Sequence, residues 1–263
     1  MRQAIRALGW AAKILWIILI VFIITIAYSA TQLNINLGEP QTTATEQTVT
    51  ISFPVNMRND GLYDITYFNI TTIISDQNNH SLARGTTILG IPRGVYETRI
   101  HNITANITRI LIRNTNLLFN DTTFTLFQYV SINYAHAIPL TVSAHQTMPW
   151  GAPLSNLAVG EITFQPYNQT HSLAIIPLSF ENHNQYVPVA GNARIEIYDN
   201  SHTHIGEGTT NIDAQPNTYF NGQINVLVKN PSLSPAHTPP TGEIHLFFET
   251  STFNYGPLVI PYG

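Results

Sequence analysis

The chain has 263 residues, enough for one large domain or two of ordinary size. Charged residues make up 10% of it against about 25% in an average soluble protein, and lysine occurs only at Lys13 and Lys229. Its surface must therefore be kept wet by amides and hydroxyls. The net charge of −4 without clustered cations excludes nucleic acid as an expected partner, and the lack of cysteine excludes disulfides, thiolate nucleophiles and Cys-type zinc sites.

Residues 14–30, ILWIILIVFIITIAYSA, carry no charge, and residues 8–12 extend the apolar stretch behind Lys13. About 20 such residues cross roughly 30 Å of hydrocarbon as a helix, and a lysine near one end can snorkel to the headgroups. Arg2, Arg6 and Lys13 precede the span and the next cation is Arg58, so the positive-inside bias predicts a cytoplasmic N-terminus with everything from Thr31 onward outside. A cleavable signal peptide is the competing reading, with Ala27, Tyr28 and Ser29 as its small-residue site. Retention is expected because the apolar run is longer than the usual 7 to 15 residues.

Beyond the span, the sequence repeats at a spacing of about 122 residues. Leu37-Gly38-Glu39 matches Val159-Gly160-Glu161, FPVNMRND from Phe53 matches IPLSFENH from Ile176, and SDQNNHSLARGTT from Ser75 matches YDNSHTHIGEGTT from Tyr198. Tyr96 then falls on Tyr219 and Asn102 on Asn225, and Asn133-Tyr134 is aligned with Asn254-Tyr255. The expected organisation is a stub and transmembrane helix over residues 1–30, one β-sandwich over 31–148 and a second over 149–263.

Val49, Ile51, Phe53, Val55 and Met57 alternate with polar or small residues at the period of a half-buried strand, as do Leu33, Ile35 and Leu37, and Ile195 and Ile197. Pro54 and Pro177 fall inside such strands; a proline cannot donate to a ladder, so both are expected at an edge or a bulge. Short strands punctuated by Gly, Pro, Asn and Asp predict tandem fibronectin- or immunoglobulin-like sandwiches. Residues 108–118 allow a short helix in the first copy. Pro231, Pro235, Pro239 and Pro240 make one improbable in the second.

The opening strand, the alternating strand running into an Asn-rich turn, the Gly-Thr-Thr turn and the closing apolar strand together resemble the late-embryogenesis-abundant group 2 domain. This is also called the water-stress and hypersensitive-response, or WHy, domain. The resemblance spans most of residues 32–140 and 157–261. It implies a seven-stranded fibronectin-like sandwich, commonly beside a membrane anchor, with no active site to transfer, and the amide-rich, charge-poor composition suits an archaeal-like surface protein.

Chemistry-bearing patterns are few. His202 and His204, with Asp199 and Glu207 near, could present two imidazoles to a metal, but no third ligand is placed by spacing and a polar hairpin tip is the simpler reading. Gly206-Glu207-Gly208 resembles a phosphate-loop fragment with no helix behind it, and a turn is expected there. No GxSxG elbow, HExxH helix or Walker loop occurs, so neither an enzyme nor a cofactor is expected. Glycosylation sequons stand at Asn69, Asn79, Asn102, Asn106, Asn120 and Asn168. Residues 46–148 balance six acids with six arginines, whereas residues 157–263 hold eight acids against two cations, a net of −6, so the two copies should meet different partners.

These readings converge on a single-pass membrane protein whose extracellular domains act as a scaffold or adhesion module, or as an accessory subunit of a cell-envelope complex. Its expected partners are the membrane, other envelope proteins or further copies of itself, and N-glycans. The alternative is a surface-filament subunit in which residues 32–38 add as a strand to a neighbour. A metal or small-ligand carrier using His202 and His204 is the third possibility.

Overall fold

The computed structural model describes residues 2–45, 47–135, 138–229 and 241–263. A long helix, α1 (Arg2–Ala30), comes first and is followed by strands throughout. The first copy contains β1 (Leu33–Leu37), β2 (Gln41–Ala44), β3 (Thr48–Asn59), β4 (Ile65–Ser75), β5 (Ser81–Ile91), β6 (Val95–Asn106), β7 (Thr122–Tyr134) and β8 (Ile138–Trp150). The second contains β9 (Ser155–Val159), β10 (Thr163–Pro166), β11 (His171–Asn182), β12 (Val189–Asp199), β13 (His204–Ala214), β14 (Thr218–Lys229), β15 (Gly242–Thr250) and β16 (Asn254–Tyr262).

Each copy forms the two sheets of a β-sandwich. In the first, β3 is flanked by β6 on one side and by β1 and β2 end to end on the other, and the second sheet runs β5-β4-β7-β8. The second copy repeats both sheets, β11 with β14, β9 and β10, then β13-β12-β15-β16. Eight strands per copy among the described residues, rather than the seven the family resemblance implies, arise because the opening segment breaks into two short strands. The chain divides into two compact units, one of Met1–Thr43, Thr50–Thr104 and Thr125–Gln146, the other of Ala44–Val49, Ala105–Phe124 and Thr147–Gly263.

The alternation read from the sequence is the alternation of burial. Val49, Ile51, Phe53, Val55 and Met57 of β3 all turn inward, and in β11 Ala174, Ile176, Leu178 and Phe180 are fully buried. Burying such side chains contributes about 1.5–3 kcal/mol apiece, and this supplies most of the drive to fold in a chain without disulfides.

Local devices repeat with the strands. The Asp76 carboxylate accepts the amides of Asn78 and His80 and so closes the β4–β5 turn, in which Asn79 takes φ 61. Asp199 accepts those of Ser201 and Thr203 in the β12–β13 turn, with His202 at φ 56. Gly85 pairs with Thr72 and Gly208 with Ile195, so the Gly-Thr-Thr segments lie within β5 and β13, beyond the turns rather than in them. A side chain at either glycine would collide with the carbonyl of Asn102 or Asn225 on the next strand.

Two expectations need correcting. Pro54 and Pro177 lie in central strands, β3 and β11, not at a sheet edge or a bulge. The Pro54 carbonyl accepts the Gly38 amide at 2.7 Å and the Pro177 carbonyl that of Gly160 at 2.9 Å. In an extended strand a residue's nitrogen and carbonyl point the same way. Each proline's missing donor therefore faces the break between the two short edge strands, where no acceptor awaits it. Asn133-Tyr134 and Asn254-Tyr255 are not equivalent either. Ile70 faces Val130 and its counterpart Ala193 faces Phe248, so the seventh strands are offset by 118 residues, and Tyr134 closes β7 whereas Tyr255 lies in β16.

Between β6 and β7 the chain forms α2 (Ile107–Arg113), the short helix expected there. Asn106 caps it by accepting the Arg109 amide at 2.8 Å, and Ile107, Ile110 and Leu111 bury one face. A 3-10 turn, Thr115–Leu118, follows. Pro231, Pro235, Pro239 and Pro240 lie outside the described residues.

The C-terminal turns of α1 belong to the first unit. Ile26 joins the core cluster of Val55, Met57, Ile65, Phe68, Ile70, Ile91 and Tyr134, and Ser29 is fully buried. The Ser29 hydroxyl accepts the Leu62 amide at 2.6 Å and shares a hydrogen bond with the Tyr134 phenol. Thr25 and Tyr63 join hydroxyls at 2.8 Å, and Phe22 meets Tyr63 edge-on at 5.8 Å. From Trp10 to Ala30 the helix is long and apolar enough to cross a membrane.

Candidate functional site

A cleft of about 530 Å³ lies in the second unit at the end of β11, lined by residues including Asp121, Trp150, Glu181, His183, Gln185 and Tyr219. Four separate stretches of sequence build it. Trp150, at the end of β8, is buried and donates its indole N–H to the Leu117 carbonyl at 2.9 Å, while its ring lies 5.3 Å from that of Phe124. The next residue, Gly151, runs against the His183 backbone so closely that a Cβ would not fit, and its carbonyl accepts Asn184 Nδ2 at 2.8 Å. Asn184 also receives the amides of Tyr186 and Val187 at 2.9 Å each, which shapes the loop after β11. Tyr219, across the ladder from Glu181, is more than half exposed at the mouth.

His183 is the centre of charge in this cleft. Its Nδ1 lies 2.9 Å from Asp121 Oδ2 and its Nε2 2.7 Å from Glu181 Oε2. The Asp121 hydrogen bond, then that of Glu181, raises the imidazole above the ordinary histidine value despite some desolvation. Burial works against ionisation of Asp121, but the Ala152 amide and His183 together hold its carboxyl below the usual range. Glu181 is held low by His183 and then by Asn156, whose Nδ2 lies 3.3 Å away. While protonated, an imidazole that donates to a carboxylate from each nitrogen has no lone pair for a metal or for general-base work. The arrangement braces Asp121, 62 residues away in sequence, to the end of β11, and leaves amides and a phenol at the mouth for polar contacts.

None of this triad was legible as a site in the sequence, where the acids and histidines read as scattered. In the first copy the equivalent positions hold Arg58 and Asp60, paired at 2.6 Å, so the same two-residue spacing persists with different charges.

The histidines singled out by sequence do not converge. His202 Nδ1 stands 3.7 Å from Glu243 Oε2 with its side chain mostly exposed, and the His204 ring packs 5.4 Å from Tyr198. Among the described residues no group of three or more His, Cys, Asp or Glu side chains is placed to hold a metal. Gly206-Glu207-Gly208 is part of strand β13 rather than the expected turn, and its glycines admit the backbone of β14. Of the sequon asparagines, Asn79, Asn102, Asn106, Asn120 and Asn168 are exposed, whereas Asn69 is half-buried on β4. The Asn106 carboxamide is occupied as the cap of α2.

No protein-family model matches the chain, and no curated protein matches it. Among solved structures, a β-glucuronidase from glycoside hydrolase family 2 is similar at 13% identity and a TM-score of 0.33, over 83% of this chain and 24% of its own. A transglutaminase from red sea bream is similar at 13% identity and a TM-score of 0.30, over 88% of this chain and 31% of its own. A fimbrial chaperone–tip adhesin complex aligns at 10% identity and a TM-score of 0.19, covering 88% of this chain and 83% of that one. The chain thus spans about a quarter to a third of the first two.

Proposed function

We propose that the chain is a single-pass membrane protein whose paired WHy-like β-sandwiches stand outside the cell as a scaffold or adhesion module, or as an accessory subunit of a cell-envelope complex. The observation that carries this reading is the seating of Ile26 and Ser29 in the core of the first unit. A leader peptide is cut away without consequence for the mature fold. Cutting beside Ala27–Ala30 would instead remove a core isoleucine and strand the Tyr134 hydroxyl and the Leu62 amide without their partner.

In this reading the N-terminus is cytoplasmic, the sequons on exposed turns and strands carry glycans, and the chain catalyses nothing. Intact-mass analysis of the protein purified from membranes tests the anchor, since a chain beginning near Ala30 or Thr31 overturns it. Purification of the native protein in mild detergent tests the scaffold, which is overturned if the protein always migrates alone.

A second reading, a filament assembled by strand addition, is favoured by β8. This strand ends its sheet, carries no Asp, Glu, Lys or Arg, and exposes every side chain from Pro139 to Thr147, with Leu140 46% and Val142 65% exposed. The proposed donor segment, residues 32–38, is paired with β3 of its own copy over Leu33–Leu37. Addition to a neighbour would therefore have to break that pairing or use β8 as the acceptor. Concentration-dependent polymers that vanish in a Val142→Lys variant would support it, and a strictly monomeric full chain in detergent would overturn it.

A further inference from the structure

The contacts between α1 and the first unit set how deeply that unit must sit. Phe22, Thr25, Ile26 and Ser29 touch it, a stretch of about 10 Å along the helix axis. The matching surface on the unit is the β3–β4 loop, residues 60–64, together with Tyr134. Tyr63 lies against Phe22 and Thr25, and the Leu62 amide is held by Ser29.

A bilayer needs about 20 apolar residues in helical form. The shallowest placement that keeps Arg6 among the inner headgroups, with Lys13 snorkelling back toward them, occupies positions 7–26. The outermost placement ends at Ala30, the last residue of α1, and occupies positions 11–30. In either placement Phe22 lies within the apolar layer, and Tyr63, whose ring touches it, cannot be in bulk water. Between Asp60 and Asp64, which stay at its polar margins, the loop presents Leu62 and Tyr63. Leu62 is 50% exposed and Tyr28, on the adjoining helical turn, 60%, as an interfacial collar of one aliphatic and two tyrosines would be. Arg58, paired with Asp60, is exposed at the end of β3, and Asp64 accepts the amide of exposed Arg93, so each acid of the loop has a partner.

We propose that the β3–β4 loop of the first unit is a membrane-contact surface, with Leu62 and Tyr63 seated in the outer headgroup layer of the lipid bilayer that α1 crosses. The proposal rests on the anchor reading and adds that no linker separates anchor from domain. The unit is held on the membrane by the helix it has built into its core, and its β4–β5 turn, a strand length away, points to water.

The absence of cysteine allows single-site labelling of the full chain. Ile20→Cys, Leu62→Cys and Asn78→Cys, each carrying a nitroxide, are reconstituted into phosphatidylcholine–phosphatidylglycerol vesicles, and the collision of each label with oxygen and with a water-soluble nickel chelate is measured. Position 62 is exposed, so the substitution leaves the core intact. The expected order of oxygen preference is Ile20 first, Leu62 between, and Asn78 indistinguishable from a soluble label. A lipid-like Ile20 with a water-like Leu62 overturns the membrane-contact surface while leaving the anchor standing. A water-like Ile20 overturns both.

Discussion

The imidazole of His101 is hydrogen-bonded through Nε2 to the Thr72 hydroxyl at 2.9 Å, linking β6 to β4 across the interior of the first sandwich. Thr87 binds Nδ1 at 2.9 Å, and the histidine is 1% exposed. The second copy has Ile224 and Ile195 at the equivalent positions, both fully buried. One copy thus holds its sheets together with a satisfied polar trio where the other uses hydrocarbon.

This difference gives the first unit a histidine-linked loss of stability on acidification that the second copy lacks at the equivalent positions. Burial pushes the His101 imidazole below the ordinary histidine value, so as pH falls through about 6.5 the unfolded chain takes up a proton that the folded chain refuses. Stability is lost from there down to the folded value. Hydrogen exchange of β4, β5 and β6 peptides in the full chain should accelerate beyond the intrinsic rate between about pH 7 and 5, above the range in which carboxylates protonate, and those of β12, β13 and β14 should not. His101→Ala should cost about 1–3 kcal/mol by leaving the Thr72 hydroxyl unpaired, on top of the cavity, whereas His101→Ile with Thr72→Ile should cost far less and abolish the pH dependence.

Asn59 and Asn182 are fully buried and brace their copies alike. Asn59 Nδ2 donates to the carbonyls of Tyr63 and Ile91, and its Oδ1 accepts the Gly61 amide. Asn182 Nδ2 donates to Val187 and Ala214, with Oδ1 on the Asn184 amide. Asn→Ala at either site should cost about 2–4 kcal/mol, since each orphaned buried group costs about 1–3. Asn→Asp should cost more at neutral pH, because a carboxylate would face two carbonyls. Urea unfolding of each variant checks the order.

Gly85→Ala and Gly208→Ala should destabilise their own copies to a similar extent, by about 1–3 kcal/mol, because each methyl meets the carbonyl of an Asn on the neighbouring strand. Limited proteolysis should show each variant's cleavages confined to the unit that carries it. A large cost at one site and none at the other would contradict the duplication.

The His183 brace has a defined pH window. The imidazole is raised, so its contribution is complete below the unfolded value of about 6.5 and fades as pH climbs through the folded one. Asp121 and Glu181 are lowered, so theirs is complete above about 4.5 and fades as pH falls through their folded values. The brace should therefore be strongest between about pH 4.5 and 6.5. The His183 ring resonance should titrate above an ordinary histidine, and Asp121→Asn or Glu181→Gln should bring it down, the former by more.

The apolar N-terminal helix, the strand periods and the repeat were determined by the sequence alone, because each depends on spacing along the chain. A run of isoleucines beside Leu15 and Leu19, an apolar residue at every second position of β3, and SDQNNHSLARGTT answered by YDNSHTHIGEGTT are all local facts. The two turns closed by Asp76 and Asp199, each binding amides two and four residues on, fall at matching places in that repeat. What tertiary structure alone decided are the relationships between residues far apart. Asp121 meets His183, Ser29 meets Tyr134, and His101 meets Thr72, at separations of 62, 105 and 29 residues. Such pairs leave no period, and a polar residue reads as surface until the chain closes over it. Pro54 is the same lesson in a single residue: a missing donor marks a place without a partner, and whether that place is a sheet edge or a gap between two edge strands depends on how the neighbouring segment breaks.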